Sequence, residues 1–119
     1  MDKKYNSNDN TVYPDFIRDL PEADIPVEGI RGWLLEGGRR QIVFFDIMPK
    51  AIVPPHSHCA QWGIRLKGGM DLTIKGVTTR LHKGDNYFIP EGAEHSAKFR
   101  SRVNVIDIFD APNRYKPKK

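Results

Sequence analysis

The feature that most limits the fold of this chain is a series of short apolar runs, each ended by glycine or proline. No window from residue 30 onward places apolar residues at helical spacing. Glycines 37 and 38 lie between the first two runs, and Lys75-Gly76 separates a later pair, so both positions predict hairpin turns. The pattern predicts an all-β, antiparallel sandwich or barrel. The clearest runs are residues 30–36, 41–48, 70–74, 77–82, 85–90, 95–99 and 102–109.

The chain of 119 residues has the length of one domain with short extensions at both ends. Residues 1 to about 11 are polar and are expected to be disordered. Three prolines follow before residue 29, which favours an irregular arm over regular structure. We therefore predict an N-terminal arm at 1–28, a barrel at 29–112 and a basic tail at 113–119.

Charge and cysteine content narrow the range of partners and compartments. The net charge of +4 comes partly from the C-terminal tail, and the other basic residues alternate with acids, so we predict a loose, solvated tail and no nucleic-acid binding. No apolar stretch is long enough to span a membrane. The first ten residues lack the apolar segment of a secretory signal, and Cys59 is the one cysteine, so a cytoplasmic location is expected.

The segment "VPPHSHCAQWGIRLKGG" carries two histidines separated by one residue. In an extended strand, residues i and i+2 face the same side, so His56 and His58 would project together. Such a pair serves either as metal ligands or as part of a polar strand surface, and the pair alone is weak evidence for a metal.

A second segment, "GDNYFIPEGAEH", gives the pair a context. Gly84, Pro90, Gly92 and His95 match the spacing G-x5-P-x-G-x2-H, with Phe99 where an asparagine is usual. With the paired histidines, this arrangement resembles the cupin superfamily, over about residues 40–110. The resemblance implies a small jelly-roll barrel, a double-stranded β-helix.

The first cupin motif matches less completely. Its paired histidines correspond to His56 and His58, but Lys50 replaces the leading glycine. Counting back from Gly68, the position of the usual glutamate falls on Gln61, although Gln61 comes one residue early when counted from His58. The resemblance, which includes small cupins with glutamine in place of glutamate, implies one divalent metal ion, Zn, Ni, Mn or Fe. The implied ligands are His56, His58, Gln61 and His95.

Strand parity places further side chains relative to this site. If Gln61 points into the barrel, Arg65 does so too, and its guanidinium would suit a carboxylate or phosphate of a small-molecule ligand. Tyr87 is a second candidate for substrate binding, as a hydrogen-bond donor. The outward face of the same strand is apolar, and because cupins are frequently dimers, a homodimer interface is expected there. That face carries Trp62, Ile64 and Leu66.

Three functions follow from these features. Three imidazoles and an amide oxygen are neutral ligands, so a bound ion would keep its +2 charge and act as a strong Lewis acid. That favours isomerase or lyase chemistry on a sugar acid or related carboxylate, for which some cupins use a comparable His and Gln site. The alternatives are a metal-dependent dioxygenase and a non-catalytic module that senses a small ligand.

Overall fold

The computed structural model describes residues 11–119, so most of the segment expected to be disordered lies outside the described residues. No helix in this part of the chain has the length and apolar character needed to span a membrane. The elements in chain order are α1 (Asp15–Arg18), β1 (Ile30–Gly37), β2 (Arg40–Ile47), β3 (Ile52–His56), β4 (Gln61–Lys67), β5 (Met70–Ile74), β6 (Val77–Leu81), β7 (Asn86–Ile89), β8 (His95–Phe99) and β9 (Val103–Phe109).

The strands form two antiparallel sheets, which confirms the all-β jelly-roll prediction. One sheet has the order β1-β2-β9-β4-β7 and the other the order β3-β8-β5-β6. Gly37 pairs with Arg40, so a two-residue turn joins β1 and β2 as the glycine pair predicts. Lys75 and Gly76 both have positive φ, 49° and 80°, which suits the turn between β5 and β6. Many neighbours in the sheets are distant in sequence, so long-range pairing closes the barrel.

The hydrophobic core lies between the two sheets and is built from the residues that alternate inward along each strand. The inward positions of β2 and β9 are almost fully buried, for example Val43, Val103 and Val105. Together with Leu72 and Phe99 from the opposite sheet they form one continuous cluster. Several core residues, together with the polar residues discussed below, line a cavity between the sheets.

The N-terminal arm packs against the outer face of the five-stranded sheet. Tyr13 is 4% exposed, and its hydroxyl lies 2.8 Å from the carbonyl oxygen of Phe45 and 2.9 Å from that of Val105. Its ring contacts Trp33 and Phe44 edge-on, with centroid distances of 6.0 and 5.7 Å. The described part of the arm therefore covers apolar surface that the sheet would otherwise expose to water.

The C-terminal segment is bound to the same arm and is not the loose extension expected from its charge. Ala23 pairs with Pro117, and the backbone N–H of Lys118 donates to the carbonyl of Glu22. The ammonium of Lys118 also lies 2.8 Å from the Glu22 carboxylate. The division of the chain into arm, barrel and tail stays a prediction, but the two outer segments contact each other.

Removing the Tyr13 hydroxyl tests whether the arm belongs to the folded unit. We expect Tyr13→Phe to lower the free energy of unfolding by about 1–2 kcal/mol, because two buried carbonyls lose a donor. Chemical denaturation measures the loss. Phe16→Ala is the control, since that side chain is 75% exposed and should change stability by less than about 0.5 kcal/mol. A Tyr13→Phe variant as stable as the parent would show that the hydroxyl bonds of Tyr13 do not contribute to stability.

Candidate metal centre

Three histidines meet at one end of the barrel because two strands and a loop bring them there. His56 ends β3 and His95 begins β8, and the two residues are direct partners in the antiparallel register. His58 follows in the loop before β4, and its carbonyl accepts a 2.9 Å hydrogen bond from the N–H of Gly92. Ring nitrogens of the three histidines all lie within 4.8 Å of one another.

Backbone carbonyls fix the tautomer of each ring. Every Nδ1 lies within hydrogen-bond distance of a carbonyl oxygen, and because a carbonyl only accepts, each Nδ1 carries the proton. Each Nε2 is therefore left with a lone pair. The distances are 2.8 Å from His56 to Pro54, 2.8 Å from His58 to Cys59 and 2.9 Å from His95 to Ala93.

The lone pairs converge on a point that suits a cation. Nε2 of His58 lies 3.1 Å from Nε2 of His95, where two unprotonated nitrogens repel each other. Two imidazole nitrogens that share one ion at about 2.0–2.1 Å lie roughly 3.0–3.4 Å apart. The observed separation is therefore compatible with a metal ion shared by the two rings.

Gln61 offers a further oxygen atom on the wall of the same cavity. It begins β4 and is 9% exposed. Its side-chain amide N–H donates to Asp107, whereas its Oε1 is buried without a hydrogen-bond partner among the described residues. A buried oxygen without a partner costs about 1–3 kcal/mol, and a metal ion would remove that cost. The three histidines and Gln61 therefore fit a divalent metal ion.

Two of the three histidines, His58 and His95, are held in the neutral form that binds metals. Burial, with a smaller contribution from the nearby charge of Arg114, lowers the pKa of His58 from 6.5 to about 4. Burial also lowers the pKa of His95, with contributions from His56 and Arg114. Because a metal binds the neutral ring, little proton competition is expected at these two residues near neutral pH.

A buried acid lies beside Gln61, and sequence reasoning missed it. Asp107 in β9 is 4% exposed and accepts a 2.6 Å hydrogen bond from the hydroxyl of Tyr87. Burial raises the pKa of Asp107 to about 6, although the hydrogen bonds from Tyr87 and Gln61 oppose the rise. The signal in the sequence was a carboxylate at an inward position of the apolar run "VNVIDIF".

Gly63 makes room for this pair. A Cβ at position 63 would lie 1.9 Å from Oδ1 of Asp107 and 2.4 Å from the hydroxyl of Tyr87. Any side chain there would displace the buried pair. The inward glycine of "QWGIR" is therefore a requirement of the site.

The two predicted substrate-binding residues have different positions. Tyr87 lines the cavity, as a binding residue must. Arg65 is 8% exposed and points inward as parity predicts, but its guanidinium donates to the carbonyl of Gly68, and it is not among the described residues that line the cavity. Its role as an anion clamp stays a prediction.

A second arginine reaches the cavity from the C-terminal segment. Arg114 lies on the cavity wall, with its guanidinium carbon 4.4 Å from the ring centroid of Tyr115 and 5.8 Å from that of Phe109. Its Nε is buried and has no hydrogen-bond partner among the described residues. No strand pattern or motif marks Arg114, because its position depends on how the tail folds back over the barrel.

The cavity has a volume of about 290 Å³, which is the size of a site for a small metabolite. Most of its wall is apolar, and the polar groups lie together at the histidine end. These polar residues are His56, His58, Gln61, Tyr87, His95, Ser96, Asp107 and Arg114.

A two-sheet antiparallel barrel with three converging imidazoles inside one end defines a class of small metal-binding β-barrel proteins. The family profile described as the cupin domain matches residues 43–109, more than half of the chain. The chain belongs to the cupin family, as the two motifs predicted.

Solved structures share this fold. KdgF from Halomonas sp. is 25% identical, with a TM-score of 0.68 over 77% of this chain and 86% of its own. A RmlC-like cupin from Shewanella frigidimarina is 24% identical, with a TM-score of 0.70 over 79% and 86%. The polyketide cyclase RemF from Streptomyces resistomycificus is 21% identical, with a TM-score of 0.70 over 85% and 79%. No curated protein matches the chain by sequence.

Replacing the buried acid tests the electrostatics of the site. The folded-state pKa of Asp107 is about 6 against an ordinary 3.8, so the folded state keeps this proton while the unfolded chain loses it. The stability from this group is therefore complete below pH 3.8 and is lost as the pH rises through about 6. Asp107→Asn cannot ionise. We expect it to gain about 2 kcal/mol of stability relative to the parent between pH 4.5 and pH 7.5.

Denaturant unfolding of both proteins in EDTA, at the two pH values, measures this gain. Other titrating groups are shared by parent and variant, so their contributions cancel in the difference. A stability difference that stays constant between pH 4.5 and pH 7.5 would show that Asp107 is not held in a destabilising charged form.

Proposed function

We propose that this cupin is a metal-dependent enzyme that acts on a small carboxylate, such as a sugar acid, by isomerase or lyase chemistry. The observation that carries the proposal is a cluster of three histidines, with the Nε2 atoms of His58 and His95 3.1 Å apart, on the wall of a cavity that also holds the guanidinium of Arg114. The histidines suit a cation, and the guanidinium suits an anionic substrate.

The donor set favours Lewis-acid chemistry over oxidation. Three imidazoles and the Oε1 of Gln61 carry no charge, so a divalent ion, Zn, Ni, Mn or Fe, would polarise a carbonyl or hydroxyl oxygen of the substrate with its full charge. Iron oxygenases more often add a carboxylate to two histidines, and that charge supports a higher oxidation state. Asp107 is the nearby carboxylate, but it is hydrogen-bonded to Tyr87 and Gln61.

Arg114 is suited to hold the carboxylate of the substrate. Its planar guanidinium can bind a carboxylate through two parallel hydrogen bonds, and its buried Nε has a donor to offer. Its charge reaches the metal site, since it lowers the pKa of both His58 and His95. In the proposed enzyme Arg114 takes the role that strand parity suggested for Arg65.

Asp107 and Tyr87 are suited to move a proton during the reaction. Their 2.6 Å hydrogen bond lies on the cavity wall beside Gln61. A carboxylate oxygen there can accept a proton from a substrate hydroxyl or carbon, while the phenol holds the carboxylate in place. Isomerisation, ring opening and elimination all need such a transfer.

The dioxygenase and the ligand sensor remain the alternatives, and turnover experiments separate the three. Turnover of a sugar acid by the metal-loaded protein under nitrogen supports the proposal. Turnover that consumes oxygen in step with substrate supports a dioxygenase. Tight binding without turnover in air or under nitrogen supports a sensor.

Binding of a sugar acid tests the carboxylate site directly. We expect the metal-loaded protein to bind D-galacturonate at least about tenfold more tightly than uncharged D-galactose, because a charged hydrogen bond is lost in the latter. Arg114→Ala should remove this preference, and Arg114→Lys should keep part of it. Arg65→Ala is the matched control and should keep all of it. Isothermal titration calorimetry measures each affinity, and equal binding of the two sugars by the parent would contradict the proposal.

We also propose that the protein is a homodimer in which the outer face of the five-stranded sheet meets a second copy. Five apolar residues form one continuous row across all five strands, because each is the register partner of the next. Three of them are 43%, 40% and 60% exposed, namely the first, fourth and last. The row runs through Leu35, Ile42, Ile108, Trp62 and Phe88.

The row suits a second copy of itself. Under a two-fold axis parallel to β9, the aromatic end of one row meets the aliphatic end of the other, so large side chains face smaller ones. Charge agrees with this arrangement, since Arg40 and Asp110, 3.0 Å apart, border the row and could exchange partners across the axis. The predicted interface is thereby refined, because Leu66 packs under the N-terminal arm while Trp62 stays exposed.

A charge in the row tests the dimer. We expect Trp62→Glu to convert the protein to a monomer at concentrations where the parent is a dimer, because the carboxylate would be buried without a partner. Light scattering after size-exclusion chromatography measures the mass. Val77→Glu, at a 68% exposed position on the other sheet, should leave the dimer intact. A parent protein that is monomeric at 100 µM would contradict the proposal.

A further inference from the structure

Gln41 is a fully buried polar residue that lies outside the cavity. It occupies the second position of β2, is 0% exposed and shares a cross-strand row with Phe109 and Gln61. It is not among the described residues that line the cavity. A buried amide needs partners for both of its ends, and the partners of Gln41 lie in the C-terminal segment.

The amide of Gln41 holds the backbone of Tyr115 at two points. Its Nε2 donates to the Tyr115 carbonyl at 2.8 Å, and its Oε1 accepts from the Tyr115 N–H at 3.0 Å. The remaining N–H of the amide donates to the Glu36 carboxylate at 2.9 Å. Two bonds to one residue fix both the position and the direction of the chain there.

This contact determines where Arg114 lies. The N–H that Gln41 binds belongs to the peptide bond between Arg114 and Tyr115. The ring of Tyr115 packs edge-on against Phe45 and Phe109, at centroid distances of 5.9 and 5.7 Å, and the guanidinium of Arg114 lies over that ring. The backbone and the ring together place the guanidinium on the cavity wall.

Two further contacts of the segment lie beyond Tyr115 and bind it to the N-terminal arm. The carbonyl of Lys116 accepts a 2.7 Å hydrogen bond from Asp24, and Lys118 bonds to Glu22. Arg114 lies between the end of β9 at Phe109 and these contacts. The backbone of its neighbour Tyr115 is bound there by the side-chain amide of Gln41.

We propose that Gln41 is a positioning residue for the anion site, acting through Arg114 without touching the ligand. The inference rests on the proposed role of Arg114 in carboxylate binding. Without the Gln41 amide, the segment around Arg114 has more conformations, and the ligand must order it on binding. Ordering a long side chain and its backbone reduces affinity, by about tenfold for this one segment.

A double-mutant cycle tests this coupling. Gln41→Met keeps the volume of the side chain and removes both hydrogen bonds to Tyr115. We expect it to weaken D-galacturonate binding to the metal-loaded protein about tenfold in the parent background. In the Arg114→Ala background it should have no further effect, because the guanidinium that it positions is gone. An equal loss in both backgrounds would overturn the proposal.

Trypsin gives a second readout that needs no ligand. The enzyme cleaves after arginine, and the bond between Arg114 and Tyr115 is the one that Gln41 holds. We expect Gln41→Met to be cleaved there at least about tenfold faster than the parent, as followed by mass spectrometry, because proteolysis tracks local opening. Lys118→Ala is the matched control, since its ion pair with Glu22 is exposed and should contribute little. Equal cleavage rates in parent and Gln41→Met would contradict the positioning role.

The two readouts separate failure of this inference from failure of the proposed function. One outcome is that the parent protein does not bind D-galacturonate while Gln41→Met is still cleaved faster after Arg114. In that case Gln41 does position the segment, and the proposed carboxylate site is wrong. If Gln41→Met does not fold, Gln41→Asn replaces it in both experiments. That variant keeps a buried amide but is one methylene shorter, so it cannot make both hydrogen bonds to Tyr115 and should show the same losses.

Discussion

The site depends on the pairing of β3 with β8, which puts His56 directly opposite His95 at the open end of the barrel. Backbone carbonyls hold each Nδ1, so the side chains cannot turn their lone pairs away without losing a hydrogen bond. The 3.1 Å contact between His58 and His95 is unfavourable unless a cation lies between the rings. A metal ion or a shared proton between the rings would remove this repulsion, and the three histidines together suit a metal ion.

Much of the fold follows from local patterns. Short apolar runs with glycine turns predicted the all-β barrel, and the hairpins at Gly38 and Lys75-Gly76 form where the turn residues indicated. The motif spacing brought His56, His58 and His95 together correctly, because in this barrel the spacing of turns sets which strand ends meet. The hairpin turns depend on residues close in sequence, and the histidine cluster follows from a motif spacing that the cupin family shares.

The rest of the site depends on contacts that no local pattern encodes. In the sequence Asp107 is one carboxylate in an apolar run. Its role becomes apparent only in the folded barrel, where β9 places it against Tyr87 in the space that Gly63 leaves free. Arg114 reads as surface charge in a basic tail, because nothing in its neighbourhood shows that the tail returns across the barrel. The returning tail is bound at Tyr115 by Gln41, which lies 74 residues from Tyr115 in sequence, and further along by the N-terminal arm. Long-range pairing of this kind is the part of a structure that sequence reasoning reaches last.

The three histidines suit a cation, Arg114 suits an anion, and the buried acid Asp107 lies on the wall of the same cavity. The central claim is the cation site, and X-ray absorption spectroscopy of the purified, zinc-loaded protein tests it most directly. The account predicts one ion per chain, bound by three imidazole nitrogens and one oxygen at about 2.0–2.2 Å. Sulfur from Cys59 in the coordination shell, fewer than three imidazoles, or a chain that retains no ion after dialysis would contradict it.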